Sequence, residues 1–122
     1  MGYVLNVEAP GKIGVSDYPE RALEAGEVRV RTLHSGISAG TELTLFRGSN
    51  PYLAKAWDNE RRIFVPSNNS WTYPMASIGY EEVGEIVETG PGVTDLKIGA
   101  VVWGTWGHKS SHIGTADWAR PR

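Results

Sequence analysis

Gly79-Tyr80-Glu81-Glu82-Val83-Gly84-Glu85-Ile86-Val87-Glu88-Thr89-Gly90-Pro91-Gly92-Val93, followed by Ile98-Gly99-Ala100-Val101-Val102, is the stretch that decides the fold. Its glycines fall at set intervals between short apolar runs. Residues 83–89 and 99–103 predict two strands, and Gly90-Pro91-Gly92 predicts a tight turn after the first of them. The pattern is that of short strands on glycine turns rather than of helices.

The same pattern extends upstream. Residues 3–8 read as a strand stopped by Ala9-Pro10-Gly11, and residues 12–15 as its hairpin partner. Val28 and Val30 alternate with Arg29 and Arg31, which predicts a strand with one dry and one wet face. Residues 41–47 predict one or two helical turns stopped by Gly48. Residues 49–78 are broken by Pro51, Pro66 and Pro74 and read as an irregular flap carrying Tyr52, Trp57, Phe64, Trp71 and Tyr73. Residues 110–113 predict a last short strand. Six or seven short strands with little helix predict a mainly β fold, a small barrel or sandwich.

Composition narrows the function. A chain of 122 residues is one domain of ordinary size. A net charge of -2 with a pI near 5.9 denies nucleic acid or an acidic membrane the basic patch they need. With no cysteine there is no disulfide framework and no thiolate metal site. No apolar run is long enough to span a bilayer, and residues 1–30 lack a secretory pattern. The expected setting is cytoplasmic.

Three segments resemble the N-terminal catalytic domain of the medium-chain dehydrogenase/reductases, the zinc-type alcohol dehydrogenase superfamily. They are residues 26–31, the loop from Ser35 to Leu43, and the stretch from Gly79 to Val102. In the last, Gly79, Glu81, Gly84, Val87, Gly90, Val93 and Gly99 all fall on the family's signature. The resemblance covers nearly the whole chain and is weakest over residues 49–78. It implies a GroES-like, partly open β-barrel with short helical turns over residues 1–122. It also implies hydride transfer between a nicotinamide and a carbonyl, an alcohol or an activated alkene.

The departures shape the expected chemistry. The family's metal-binding cysteine falls on Ser38 or Ala39, in a loop one residue longer than usual, and its metal-binding histidine falls on Tyr80. A neutral hydroxyl or phenol is a poor zinc ligand. The four-cysteine structural lobe is absent, and Ala100 replaces the family's aspartate. The resemblance therefore implies a zinc-independent branch.

Thr41 matches the hydroxyl residue that contacts the reacting oxygen, although a threonine there also serves as a helix cap. Tyr80 is placed either to hydrogen-bond the substrate oxygen or to fill the space of the metal. Glu81 completes the expected catalytic set as the support of Thr41 and Tyr80, and as a buried carboxylate it is expected to pair with a nearby arginine, with Arg47 the candidate. Glu42 takes the family's aspartate position, where a carboxylate orients its neighbours. Ser38, Trp57 and Trp71 are the expected pocket residues. His34, His108 and His112 are expected to be solvated or hydrogen-bonded; the alternative is a metal site from His108, His112 and a carboxylate.

No Gly-x-Gly-x-x-Gly follows a strand and opens a helix. The resemblance places NAD or NADP on a separate Rossmann domain absent from these residues, so the chain alone is expected to be inactive. Its expected partners are a small-molecule substrate, that cofactor domain and, through exposed apolar surface, a second copy. The competing reading is a free-standing GroES-like module that binds an apolar ligand or a partner protein.

Overall fold

The computed structural model describes residues 1–68, 71–76, 78–118 and 120–121. Strands β1 (Gly2–Ala9) and β2 (Lys12–Tyr18) form an antiparallel hairpin across Pro10-Gly11. Strand β3 (Glu27–Ser35) follows, then the short helix α1 (Glu42–Arg47). Gly48 ends α1 in the left-handed conformation, as its sequence position predicts.

Residues 49–78 hold more regular structure than their prolines suggest. A 3-10 turn over Pro51–Leu53 leads into a hairpin of β4 (Lys55–Asp58) and β5 (Ile63–Pro66). The sequence hides this hairpin because its connection, Asn59-Glu60-Arg61-Arg62, carries no glycine or proline. The Asp58 carboxylate shapes that turn by accepting the Glu60 and Arg61 N–H groups, and Arg62 takes φ 56. Strand β6 (Met75–Ala76) then adds to β1.

Strands β7 (Glu82–Thr89), β8 (Val101–Gly104), β9 (Ser111–Thr115) and β10 (Arg120–Pro121) complete the chain. The larger sheet has the order β10-β8-β7-β3-β9, and the smaller is β2-β1-β6. Among the described residues a bridge between Val4 and Lys109 joins them, so the barrel stays partly open. The expected mainly β, partly open barrel with short helical turns is the architecture observed.

Alternation along β3 and β7 builds the core. Val28, Val30 and Ile86 are fully buried and pack with Leu96, Val102 and Trp106. The intervening side chains pair across the wet face, Arg29 with Glu88 at 2.8 Å and Arg31 with Glu85 at 2.6 Å. Gly84 lies where β7 crosses Val30. A Cβ there would stand 2.3 Å from Val30 Cγ1 and 2.7 Å from the Arg31 carbonyl, so the close approach admits only glycine. The strands thus bring the start of α1, the start of β7 and the β8–β9 connection to one end of the molecule.

Candidate functional site

At this end the loop before α1 folds back on itself. The Ser38 carbonyl accepts the Glu42 N–H at 3.0 Å, while the Ser38 N–H donates to Glu42 Oε2 at 2.7 Å. This reciprocal pair does the work of a helix cap. Thr41 occupies the cap position itself but makes no side-chain cap bond. Its hydroxyl is exposed and, among the described residues, has no hydrogen-bond partner.

Glu42 is 3% exposed, and its other oxygen contacts His108 Nε2. His108 Nδ1 meets Ser35 Oγ at 2.5 Å, and the Ser35 hydroxyl donates to Glu82 Oε1 at 3.1 Å. Glu82 Oε2 accepts the Trp106 N–H at 2.9 Å. A buried polar chain therefore runs Glu42–His108–Ser35–Glu82. A carboxylate offers no hydrogen, and the single Ser35 hydrogen is committed to Glu82. His108 Nε2 is accordingly the donor to Glu42. Two buried carboxylates so flank one imidazole, the arrangement that burial of charge requires.

The signature glycine Gly79 (φ +111) passes directly over this chain. A Cβ at Gly79 would stand 2.9 Å from Glu82 Oε1 and from His108 Cε1 and Nε2. The His108 backbone is fixed too, its N–H donating to the Ile78 carbonyl at 2.8 Å and its carbonyl accepting from Leu5 at 2.9 Å.

On the other side of Gly79 lies a cavity of about 450 Å³. Leu45, Met75 and Ile78 form its apolar floor, Glu42 reaches it from α1, and Thr41, Thr72, Trp71 and Tyr80 form its rim. Tyr80 is 41% exposed, so it does not fill a buried space. Trp71 stacks on Tyr52 with centroids 4.7 Å apart and planes at 19°. Ser38 holds the loop beneath the rim, its Oγ accepting the Thr41 N–H at 3.4 Å. Trp57 stands outside the lining of this cavity, edge-on to Phe64 on the β4–β5 hairpin.

Glu81 differs from its sequence expectation. It is exposed, and among the described residues it makes no ion pair with Arg47 or any other cation. The reason is strand phase. Glu82, Gly84 and Ile86 face inward along β7, so the residue before Glu82 faces out. That period-two pattern is visible in the sequence and marks Glu82 as the buried carboxylate. No pattern marks His108, which sits in a connection and reaches Ser35 and Glu42 only through the fold.

His112 is separate from this site. It stacks on Trp106 at a centroid distance of 5.8 Å and lies tilted against Trp118 at 4.9 Å. Burial, and then the Lys109 cation, push its imidazole down to about 4. Among the described residues no group of three His, Asp or Glu side chains could hold a metal ion, and no helix is long and apolar enough to cross a membrane.

No family model matches the chain. Among curated proteins it is similar to D-guloside 3-dehydrogenase of Escherichia coli, with 30% identity over 100 residues, 79% of this chain and 29% of that protein. It is also similar to L-threonine 3-dehydrogenase of Streptomyces coelicolor, with 34% identity over 95 residues, 78% of this chain and 22% of that one. The chain thus spans less than a third of the length of these relatives. Among solved structures, 2R,3R-butanediol dehydrogenase of Bacillus subtilis superposes with a TM-score of 0.64 at 18% identity, over 99% of this chain and 40% of that one.

Proposed function

This chain belongs to the medium-chain dehydrogenase/reductase superfamily, whose GroES-like domain it forms, and we propose that it is the substrate-side part of an NAD(P)-dependent oxidoreductase. In this reading a Rossmann domain beyond these residues holds the dinucleotide, and the reaction takes place in the cleft between the two. The substrate is a secondary alcohol or the matching ketone, as the names of both curated relatives suggest. The observation that carries the reading is the meeting of Thr41 and Tyr80, far apart in sequence, at the rim of one cavity. Among the described residues neither hydroxyl is committed elsewhere.

A nicotinamide held by that domain would supply the hydride acceptor for the carbinol carbon. The residues of this chain handle the proton. Thr41 accepts the hydrogen of the substrate hydroxyl while passing its own to solvent, which a group that both donates and accepts can do. Tyr80 donates to the same oxygen as it becomes a carbonyl. Glu81 follows Tyr80 in sequence as an exposed carboxylate outside the cavity lining, and Glu42 fixes the loop that carries Thr41.

The catalytic zinc of the wider superfamily does not fit these residues. Its positions carry the hydroxyl of Ser38 or the methyl of Ala39, the phenol of Tyr80 and the carboxylate of Glu81, with neither a thiolate nor an imidazole. The one imidazole behind the cavity, His108, is fastened to Glu42 and Ser35.

The test compares residues 1–122 with the protein as its gene encodes it, supplied with secondary alcohols and NAD+ or NADP+. The longer protein is expected to reduce the cofactor, with undiminished rate after exhaustive chelation, and Thr41→Val is expected to slow it by about 10²-fold or more. The short chain is expected to show no turnover. Turnover by the short chain, or stoichiometric zinc required for activity, would overturn the reading. Absence of turnover in both, together with a stop after Arg122, would favour a free-standing binding module.

A further inference from the structure

We propose that the cavity beside α1 takes the flat face of a neutral, hydroxyl-rich ring, a pyranoside or cyclic polyol, with Trp71 as its platform, and that it rejects a charged amino acid. This rests on the reading of the cavity as the substrate side and narrows its substrate class.

Trp71 is both exposed and held in place. It is 47% exposed. Its N–H donates to the Tyr52 carbonyl at 2.8 Å, and its indole stacks on the Tyr52 ring. Tyr52 is held in turn. Its ring meets Phe64 edge-on at 5.1 Å, and its N–H donates to Asn50 Oδ1 at 2.9 Å. Asn50 Nδ2 donates to Thr44 Oγ1, also at 2.9 Å, and Thr44 belongs to α1. The platform is thereby tied to the helix that Thr41 caps. With one indole face packed against Tyr52, the exposed part of the ring borders the cavity. An aromatic face carries negative charge density and attracts the weakly positive axial C–H groups of a saturated sugar ring.

The rest of the rim matches the edge of such a ring. Thr41, Thr72 and Tyr80 each present an exposed neutral hydroxyl able to donate and accept. Among the described residues the lining contains no Lys or Arg. Glu42 is, among the described residues, the sole carboxylate of the lining, and both its oxygens are already bonded, to Ser38 and His108. An amino acid would bring a carboxylate with no cation to meet it, at the cost of its desolvation. A volume of about 450 Å³ is ample for a monosaccharide.

The experiment titrates the chain of residues 1–122 with methyl α-D-glucopyranoside, myo-inositol and L-threonine in the millimolar range, reading indole N–H signals in a ¹H–¹⁵N spectrum. The glycoside or the polyol is expected to shift the Trp71 indole signal saturably, and L-threonine to leave it unmoved. Trp71→Ala is expected to weaken binding, read on the Tyr80 and Thr41 amides, by about tenfold. Trp71→Phe, which keeps an aromatic face and guards against a folding artefact, is expected to recover most of that loss. Trp57→Ala, outside the cavity, is expected to change nothing. Binding of L-threonine as tight as that of the sugars, no shift with either ring compound, or unchanged affinity in a folded Trp71→Ala variant would overturn the proposal. Each of these outcomes is independent of whether the longer protein transfers hydride.

Discussion

Replacing His108 by phenylalanine is expected to destabilise the fold by about 3–5 kcal/mol, the cost of leaving a buried charge without its partner. The magnitude follows from what the substitution leaves behind. The side chains of His108 and Glu42 are 7% and 4% exposed, so water cannot take over the lost contact. Glu42 Oε2 keeps the Ser38 N–H, but Oε1 is stranded, and Ser35 loses the nitrogen 2.5 Å from its oxygen. Phenylalanine occupies most of the vacated space, so cavity formation contributes little. A domain of this size is stable by roughly 5–15 kcal/mol, so the variant loses about a fifth of that or more. With a urea dependence of about 2 kcal/mol per molar, the unfolding midpoint at neutral pH falls by about 2 M, read by the fluorescence of buried Trp106. A second variant isolates the charge. His108→Phe with Glu42→Gln retains an acceptor for Ser38 and removes the stranded charge, so it is expected to be more stable than His108→Phe alone. A His108→Phe protein within about 1 kcal/mol of the parent, or a double variant that recovers nothing, would refute the buried-pair argument.

Two other perturbations test parts of the fold away from that chain. The His112 ring, held down to about 4 from an ordinary 6.5, stays neutral in the folded state while the unfolded chain protonates. Stability is therefore expected to fall as pH is lowered from about 6.5 to about 4, and His112→Gln to flatten that part of the profile; an NMR midpoint of His112 near 6.5 would contradict it. Gly84→Ala sets a methyl 2.3 Å from Val30 Cγ1 and is expected to cost about 3 kcal/mol, or about 10 °C in Tm. Gly92→Ala, with nothing within 4 Å of its Cβ and only its φ of +82 to strain, is the milder control.

Much of the larger sheet was legible because its signals are local. Val28 and Val30 alternate with arginines, Gly48 ends a helix, and Gly90-Pro91-Gly92 turns a strand. Each depends on neighbours within a few residues, and each appears where the pattern puts it. The hairpin of β4 and β5 escaped because an aspartate side chain, rather than a glycine, organises its turn. The buried chain escaped for a different reason. Ser35 and His108 come from loop-flanking positions 73 apart in sequence, and no sequence period relates them. Glu82 was within reach, since two-residue phase from Ile86 puts it inside and Glu81 out. The family motif drew attention to Glu81 instead, because the motif ranks residues by their link to a metal and takes no account of strand phase.

The same distinction explains how the signature keeps its glycines while its ligand positions change. Gly84 is required by Val30 and the Arg31 carbonyl, contacts between β7 and β3 that any chemistry on this scaffold needs. Gly79 is required by the chain that runs beneath it, since a Cβ there would strike both Glu82 and His108. Neither requirement refers to a metal. Tyr80, by contrast, is 41% exposed at the cavity rim, where few contacts within these residues constrain its identity. The glycines therefore record how the strands and the buried carboxylates pack, and the residue between Gly79 and Glu81 is free to vary with the chemistry. A spacing that identifies the scaffold this firmly is, for that reason, a poor guide to the reaction. The reaction has to be read from the rim, from Thr41, Tyr80 and the aromatic face of Trp71.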